Sequence, residues 1–117
     1  MSYPKIAKLI DVLLTQTENG TLQWAQTETS DMFQASFPRY SVRLYVQSVS
    51  QVDVDYVLQI LNELGEIVEE VSDPDLKDVM EGPFRVMRRL HDAARRSAMG
   101  VETALDEILE FLDPFSF

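Results

Sequence analysis

Residues 41–61 read SVRLYVQSVSQVDVDYVLQIL, and this stretch decides the fold. Val42, Leu44 and Val46 alternate with Ser41, Arg43, Tyr45 and Gln47; further on, Val54, Tyr56, Leu58 and Ile60 alternate with Asp55, Val57, Gln59 and Leu61. A side-chain period of two is that of a β-strand whose two faces meet different surroundings. The second run carries apolar residues in both sets, so it is expected to be buried on both sides. Asn62-Glu63-Leu64-Gly65 then supplies a hairpin connection in which Gly65 takes the positive φ that such loops need, leading to a strand at 66–71. On the N-terminal side, Phe33, Ala35 and Phe37 share one face of a strand that Pro38-Arg39 ends, and residues 22–27, with Trp24, form the first strand. Connections this short join antiparallel neighbours, so the middle of the chain reads as a five-stranded meander.

Outside that sheet the period changes to that of a helix. Ile6, Leu9, Ile10, Leu13 and Leu14 make an amphipathic stripe, with Pro4 suited to the first helical position and Asn19-Gly20 as a stop. After the sheet, Ser72-Asp73-Pro74-Asp75 offers capping oxygens and early acids for a short helix reaching about Met80. Gly82-Pro83 precedes a stripe of Phe84, Met87, Leu90, Ala94 and Ala98; beyond Gly100 a second stripe runs through Val101, Ala104, Leu105, Ile108, Leu109 and Leu112. Gly100 is read as a junction between two helices. The fold class expected is α+β, a single domain over residues 1–117: an N-terminal helix, an antiparallel meander of about five strands, and C-terminal helices packed on one sheet face.

Composition narrows the chemistry. The 117 residues include 20 Asp plus Glu against 10 Lys plus Arg, one His, no Cys and 45% hydrophobic residues. A domain of this size hides roughly two-thirds of the surface its unfolded chain exposes, so it folds without a disulfide, metal or cofactor, and no cofactor is expected. Lack of cysteine excludes thiolate metal sites and thiol nucleophiles; a single histidine excludes His-pair metal sites and any two-imidazole relay. A net charge of −10 repels phosphate backbones and anionic lipid, which argues against nucleic-acid and membrane partners. Apolar runs fall far short of the ~20 residues that span a bilayer, and Met1-Ser2-Tyr3-Pro4-Lys5 lacks the apolar core of a signal peptide, so a cytoplasmic location is expected.

Half of the basic residues, Arg85, Arg88, Arg89, Arg95 and Arg96, lie in one predicted helix. At about 100° per residue they fall within an arc of roughly 120°, opposite Val86, Met87, Leu90, Ala94 and Ala98. Asp92 sits inside that arc at i±3 and i±4 spacing, available to several arginines at once. Three uses fit such a face: internal neutralisation by acids elsewhere in the chain, an acidic protein partner, or a phosphorylated small molecule held by guanidinium forks. Tyr45 adds a candidate contact, because it shares the more polar face of its strand with Arg43 and Gln47.

The remaining motifs are weaker. Glu63, Glu66, Glu69, Glu70, Asp73, Asp75, Asp78 and Glu81 form an acidic tract that reads first as a solvated face; Asp73, Asp75 and Asp78 invite a calcium reading, but a calcium loop needs a turn glycine and a late bidentate glutamate at set spacing, and Pro74 sits inside this run. His91 adjoins Asp92, but neighbours on a helix point about 100° apart and do not form an orienting pair. The four glycines stand too far apart for a phosphate-binding loop. Phe111, Phe115 and Phe117 crowd an apolar tail that either docks on its own fold or seals an interface.

The order helix, antiparallel meander, helices resembles the small acidic dimeric chaperones of bacterial type III secretion. The stretch from Leu90-His91-Asp92-Ala93-Ala94-Arg95-Arg96 to Leu112 is also similar to C-terminal helices of uncharacterised small prokaryotic domains. The chaperone resemblance implies a homodimer with an apolar groove for an extended client. The expected function is that of a non-catalytic prokaryotic or phage protein-binding module, not an enzyme, which regulates or neutralises a protein partner through charged surfaces. The alternatives are a chaperone-like dimer and a binder of a small phosphorylated ligand through the arginine face.

Overall fold

In the computed structural model, which describes residues 3–113 and 115, the chain runs from helix α1 (Tyr3–Glu18) into five strands and out through two helices. The strands are β1 (Ala25–Gln26), β2 (Phe33–Ser36), β3 (Tyr40–Ser48), β4 (Val54–Asn62) and β5 (Ile67–Ser72), all antiparallel and in sequential order. A 3₁₀ turn over Asp73–Leu76 precedes α2 (Pro83–Met99) and α3 (Val101–Leu112). The chain is therefore α+β with an antiparallel sheet, as the periodicities predict.

The sheet is pinned where the alternation is cleanest. Val42 pairs with Ile60, Leu44 with Leu58 and Val46 with Tyr56, which lines their side chains along one face. Across the β4–β5 hairpin, Asn62 Oδ1 accepts the backbone N–H groups of Leu64 and Glu66, and Gly65 stands at φ +81°. A bulge on β5 shifts the register, so Ile60 faces Glu69 while Leu61 faces Ile67. Val57 and Leu58, consecutive on β4, are both buried, as expected of a strand covered on its two sides.

One connected core runs between the sheet and the first two helices. Ile6, Ile10 and Leu13 of α1 and Met87, Leu90 and Ala94 of α2 meet Phe33, Ala35, Val42, Leu44, Leu58 and Val71 from the strands. Trp24 locks the helix pair together: its indole N–H donates to Thr17 Oγ1 (2.9 Å) and its backbone N–H donates to Ser97 Oγ (2.9 Å). The sequence places Trp24 within a six-residue strand, but the observed β1 is only Ala25–Gln26, because Trp24 is drawn down between the helices. Phe37 likewise lies beyond β2 and is exposed, unlike Phe33 and Ala35.

The helix expected to reach Met80 shortens to the 3₁₀ turn. There Asp75 Oδ2 accepts the N–H and hydroxyl of Ser72, and buried Asp73 Oδ1 accepts the Tyr56 N–H at 2.8 Å. Desolvation raises the Asp73 pKa, partly opposed by that backbone hydrogen bond.

Gly100, at φ +65°, separates α2 from α3 and caps both: its N–H bonds back to the Ser97 carbonyl, and its own carbonyl accepts the Ala104 N–H. Beyond it the chain leaves the core. No residue of α3 is buried. The molecule measures 55 × 35 × 25 Å with a radius of gyration of 16.0 Å, against ~13 Å for a compact chain of this length.

Candidate functional site

The five arginines do occupy one side of α2, and their own chain claims three of them. Arg89 grips Glu18, at the end of α1, with two parallel bonds of 2.7 Å. These bonds and the charge of Glu18 raise the Arg89 pKa above its ordinary value. Arg95 pairs with Asp92 at 2.8 Å, and Arg96 crosses the Gly100 corner to Glu102 at 2.7 Å. Asp92, expected to serve several arginines, forms an ion pair only with Arg95 among the described residues. Arg85 and Arg88 have no ion pair among the described residues. Arg85 lies close over Gly82, where an added side chain would meet its Nη2 at 2.7 Å.

These side chains border two open recesses. The first, of about 540 Å³, is lined by Tyr56, Arg85, Arg88, Arg89, His91 and Asp92. Its inner wall is aromatic: Tyr56 stacks edge-on against Phe84 at 5.4 Å, and His91 stands 5.4–5.5 Å from Phe33 and Tyr56. His91 Nε2 lies 2.8 Å from the Asp31 carbonyl, which only accepts, so that nitrogen carries the proton. Asp31 takes a φ of +60° at this point. His91 thus serves as a packed tie between α2 and the β1–β2 loop. The second recess, of about 700 Å³, lies where the end of α1 meets the α2–α3 corner. Arg89, Arg96, Ser97 and Glu102 are among its lining residues, and both of its arginines already hold carboxylates.

Tyr45 belongs elsewhere. On β3 it alternates with Leu44 and Val46, so it points to the sheet face opposite the one α1 and α2 cover. Its hydroxyl donates to Glu70 Oε1 (3.2 Å), which also accepts from Gln59 Nε2 (2.7 Å); beside them Arg43 Nε donates to Gln34 Oε1 (2.8 Å). Partial burial, and then the negative charge of Glu70, raise the Tyr45 pKa. The structure therefore brings Arg85, Arg88 and Arg89 together, places Arg95 and Arg96 farther along the same helix, and sets Tyr45 apart from all five.

A third surface joins the second apolar stripe to the aromatic tail, for which the sequence leaves open docking on its own fold or sealing an interface. Along α3, Val101, Ala104, Leu105, Ile108, Leu109, Phe111 and Leu112 fall within an arc of roughly 160°, while Glu102, Asp106, Glu107, Glu110 and Asp113 fill the other side. Leu105, Ile108, Leu109, Phe111, Leu112 and the following Phe115 are 45–96% exposed. Of the expected aromatic tail, Phe111 and Phe115 are open to solvent, and Phe117 lies outside the described residues. The apolar spacing is legible in the sequence, but the choice between docking inward and facing outward is not. Among the described residues, no helix is long and apolar enough to cross a membrane. Comparison with protein-family models, with curated proteins and with solved structures finds no match.

Proposed function

We propose that this protein is a non-catalytic protein-binding module and that α3 is the centre of its contact surface. The observation that carries this reading is that α3 bears six large apolar residues, counting the adjacent Phe115, at 45–96% exposure and buries none of its own residues. Isolated helices shorter than ~12–15 residues are marginal in water, and a contiguous apolar patch of this kind marks a surface that another molecule covers. The charged face of α2 supports the reading in reduced form. Arg89, Arg95 and Arg96 hold carboxylates within the chain, which leaves Arg85 and Arg88 as the arginines of that face able to recruit an outside acid.

The test is site-specific photocrosslinking in the cells that express the protein, with the photoreactive residue at Leu109 or Leu112 and, as controls, at Lys8 or Val52. Discrete protein adducts from the α3 positions, absent from the controls, are expected. Equal labelling at all four positions, or none at any, contradicts the proposal.

A further inference from the structure

We infer that the molecule covering α3 is a second copy of this chain, docked reciprocally so that each α3 lies on the other's Tyr56–Phe84 flank, with acids along its edge against Arg85 and Arg88. The inference rests on the reading of α3 as a contact surface and names its occupant.

The width of the apolar arc comes first. A two-stranded coiled coil needs only a narrow seam, whereas an arc of roughly 160° suits a helix laid into a groove or onto a broad surface. Charge comes second. The four acids of α3, with no base, would set like charges along the rims of any α3-to-α3 pairing. The complementary surface has an apolar floor and a basic rim, and this chain carries one. Phe84 is 41% exposed and packs on half-buried Tyr56; beside them stand Arg85 and Arg88, free of ion pairs among the described residues. Glu107 lies about 40° beyond the Phe111 edge of the apolar arc and Asp106 about 60° beyond the Leu109 edge, one on each side, within reach of such a rim.

Position makes the contact intermolecular. Arg85 lies in the first turn of α2, while α3 leaves from its far end, ~22 Å away along the axis. The Gly100 corner sends α3 outward, with no residue buried against its own α2. Two copies with antiparallel α2 helices bring each α3 to the other's recess, and the arrangement closes on itself as a two-fold dimer. A specific interface needs roughly 1,200 Å² of covered surface, and in a two-fold dimer two copies of the contact share it.

The experiment is sedimentation velocity on the full chain from low to high micromolar concentration, with native mass spectrometry. The expected species has twice the 13.4 kDa chain mass. Ile108→Glu with Leu112→Glu should weaken association at least tenfold while leaving the thermal midpoint of the dilute protein unchanged, since neither residue belongs to the core. Arg85→Glu with Arg88→Glu in one chain, and Asp106→Lys with Glu107→Lys in another, should each weaken self-association tenfold or more. Mixing those two chains should restore a heterodimer. A wild type that stays monomeric overturns the inference. If its α3 still crosslinks to another protein, the protein-binding reading stands; if α3 crosslinks to nothing, both fall. A dimer that is lost with the α3 changes but indifferent to the arginine reversal overturns the reciprocal docking in favour of α3-to-α3 pairing.

Discussion

Two helices joined by one glycine carry apolar stripes of similar length and end up in opposite circumstances. In α2, Met87, Leu90 and Ala94 are fully buried against the sheet and α1; in α3, Ile108, Leu109 and Leu112 are half or more exposed. The side-chain chemistry is alike. What differs is the surface opposite: α2 meets Phe33, Leu44 and Leu58, whereas α3, turned away at Gly100, meets none of the sheet's core face. A hydrophobic stripe states that a helix has something to cover, and the chain's path decides whether the cover comes from within.

The largest expected contrast follows directly. Leu90→Ala removes a side chain with no exposure and should cost about 2–5 kcal/mol in urea unfolding, whereas Ile108→Ala in dilute protein should stay within about 0.5 kcal/mol of wild type. Comparable losses at the two positions would mean that α3 is part of the monomer's core.

A smaller effect is expected inside the packed body. Asp73→Ala strips the Tyr56 N–H of its acceptor and should cost about 1–3 kcal/mol, whereas Asp73→Asn keeps a carbonyl there and removes the buried charge. Because the folded-state pKa of Asp73 is raised, the folded chain binds this proton more tightly than the unfolded one. The penalty of the charge is therefore present in full at neutral pH and is relieved as pH falls through the folded-state pKa toward the unfolded value near 3.9. Asp73→Asn should accordingly gain most over wild type at neutral pH, and that advantage should shrink in mildly acidic buffer. A constant or growing difference would show that the carboxylate is needed as an ion.

At the joint itself, Gly100→Ala meets no steric neighbour but places a Cβ in the left-handed region, at a cost of about 1 kcal/mol. Because α3 buries none of its own residues, the strain should appear as lost helical circular dichroism with the core's unfolding midpoint nearly unchanged. The smallest effect is expected from Arg89→Gln. It breaks an exposed pair between α1 and α2 that salt already screens, so the difference from wild type should vanish at high ionic strength.

The sheet was legible because alternation and burial agree. Val42, Leu44, Leu58 and Val71 fill the face that their spacing assigns, and Asn62 to Gly65 turn as their chemistry requires. Trp24 escaped because a tertiary demand, the locking of α1 to α2 through Thr17 and Ser97, overrode a local strand preference. The arginine side of α2 was readable from helical spacing, but its partners were not: Glu18 lies 71 residues from Arg89 in the chain, and only folding brings them within 2.7 Å. The orientation of α3 was the least legible, because a single left-handed glycine sets it and nothing in the stripe records it.

α3 is a face that its own fold leaves uncovered, and amide hydrogen exchange on the dilute monomer tests this directly. The prediction is that amides from 104 to 112 exchange orders of magnitude faster than those of α2 around Leu90, since local opening of α3 exposes no core. Amides of α3 as protected as those of α2 at the lowest concentration would show that the chain covers this helix itself, and the contact surface proposed here would not exist.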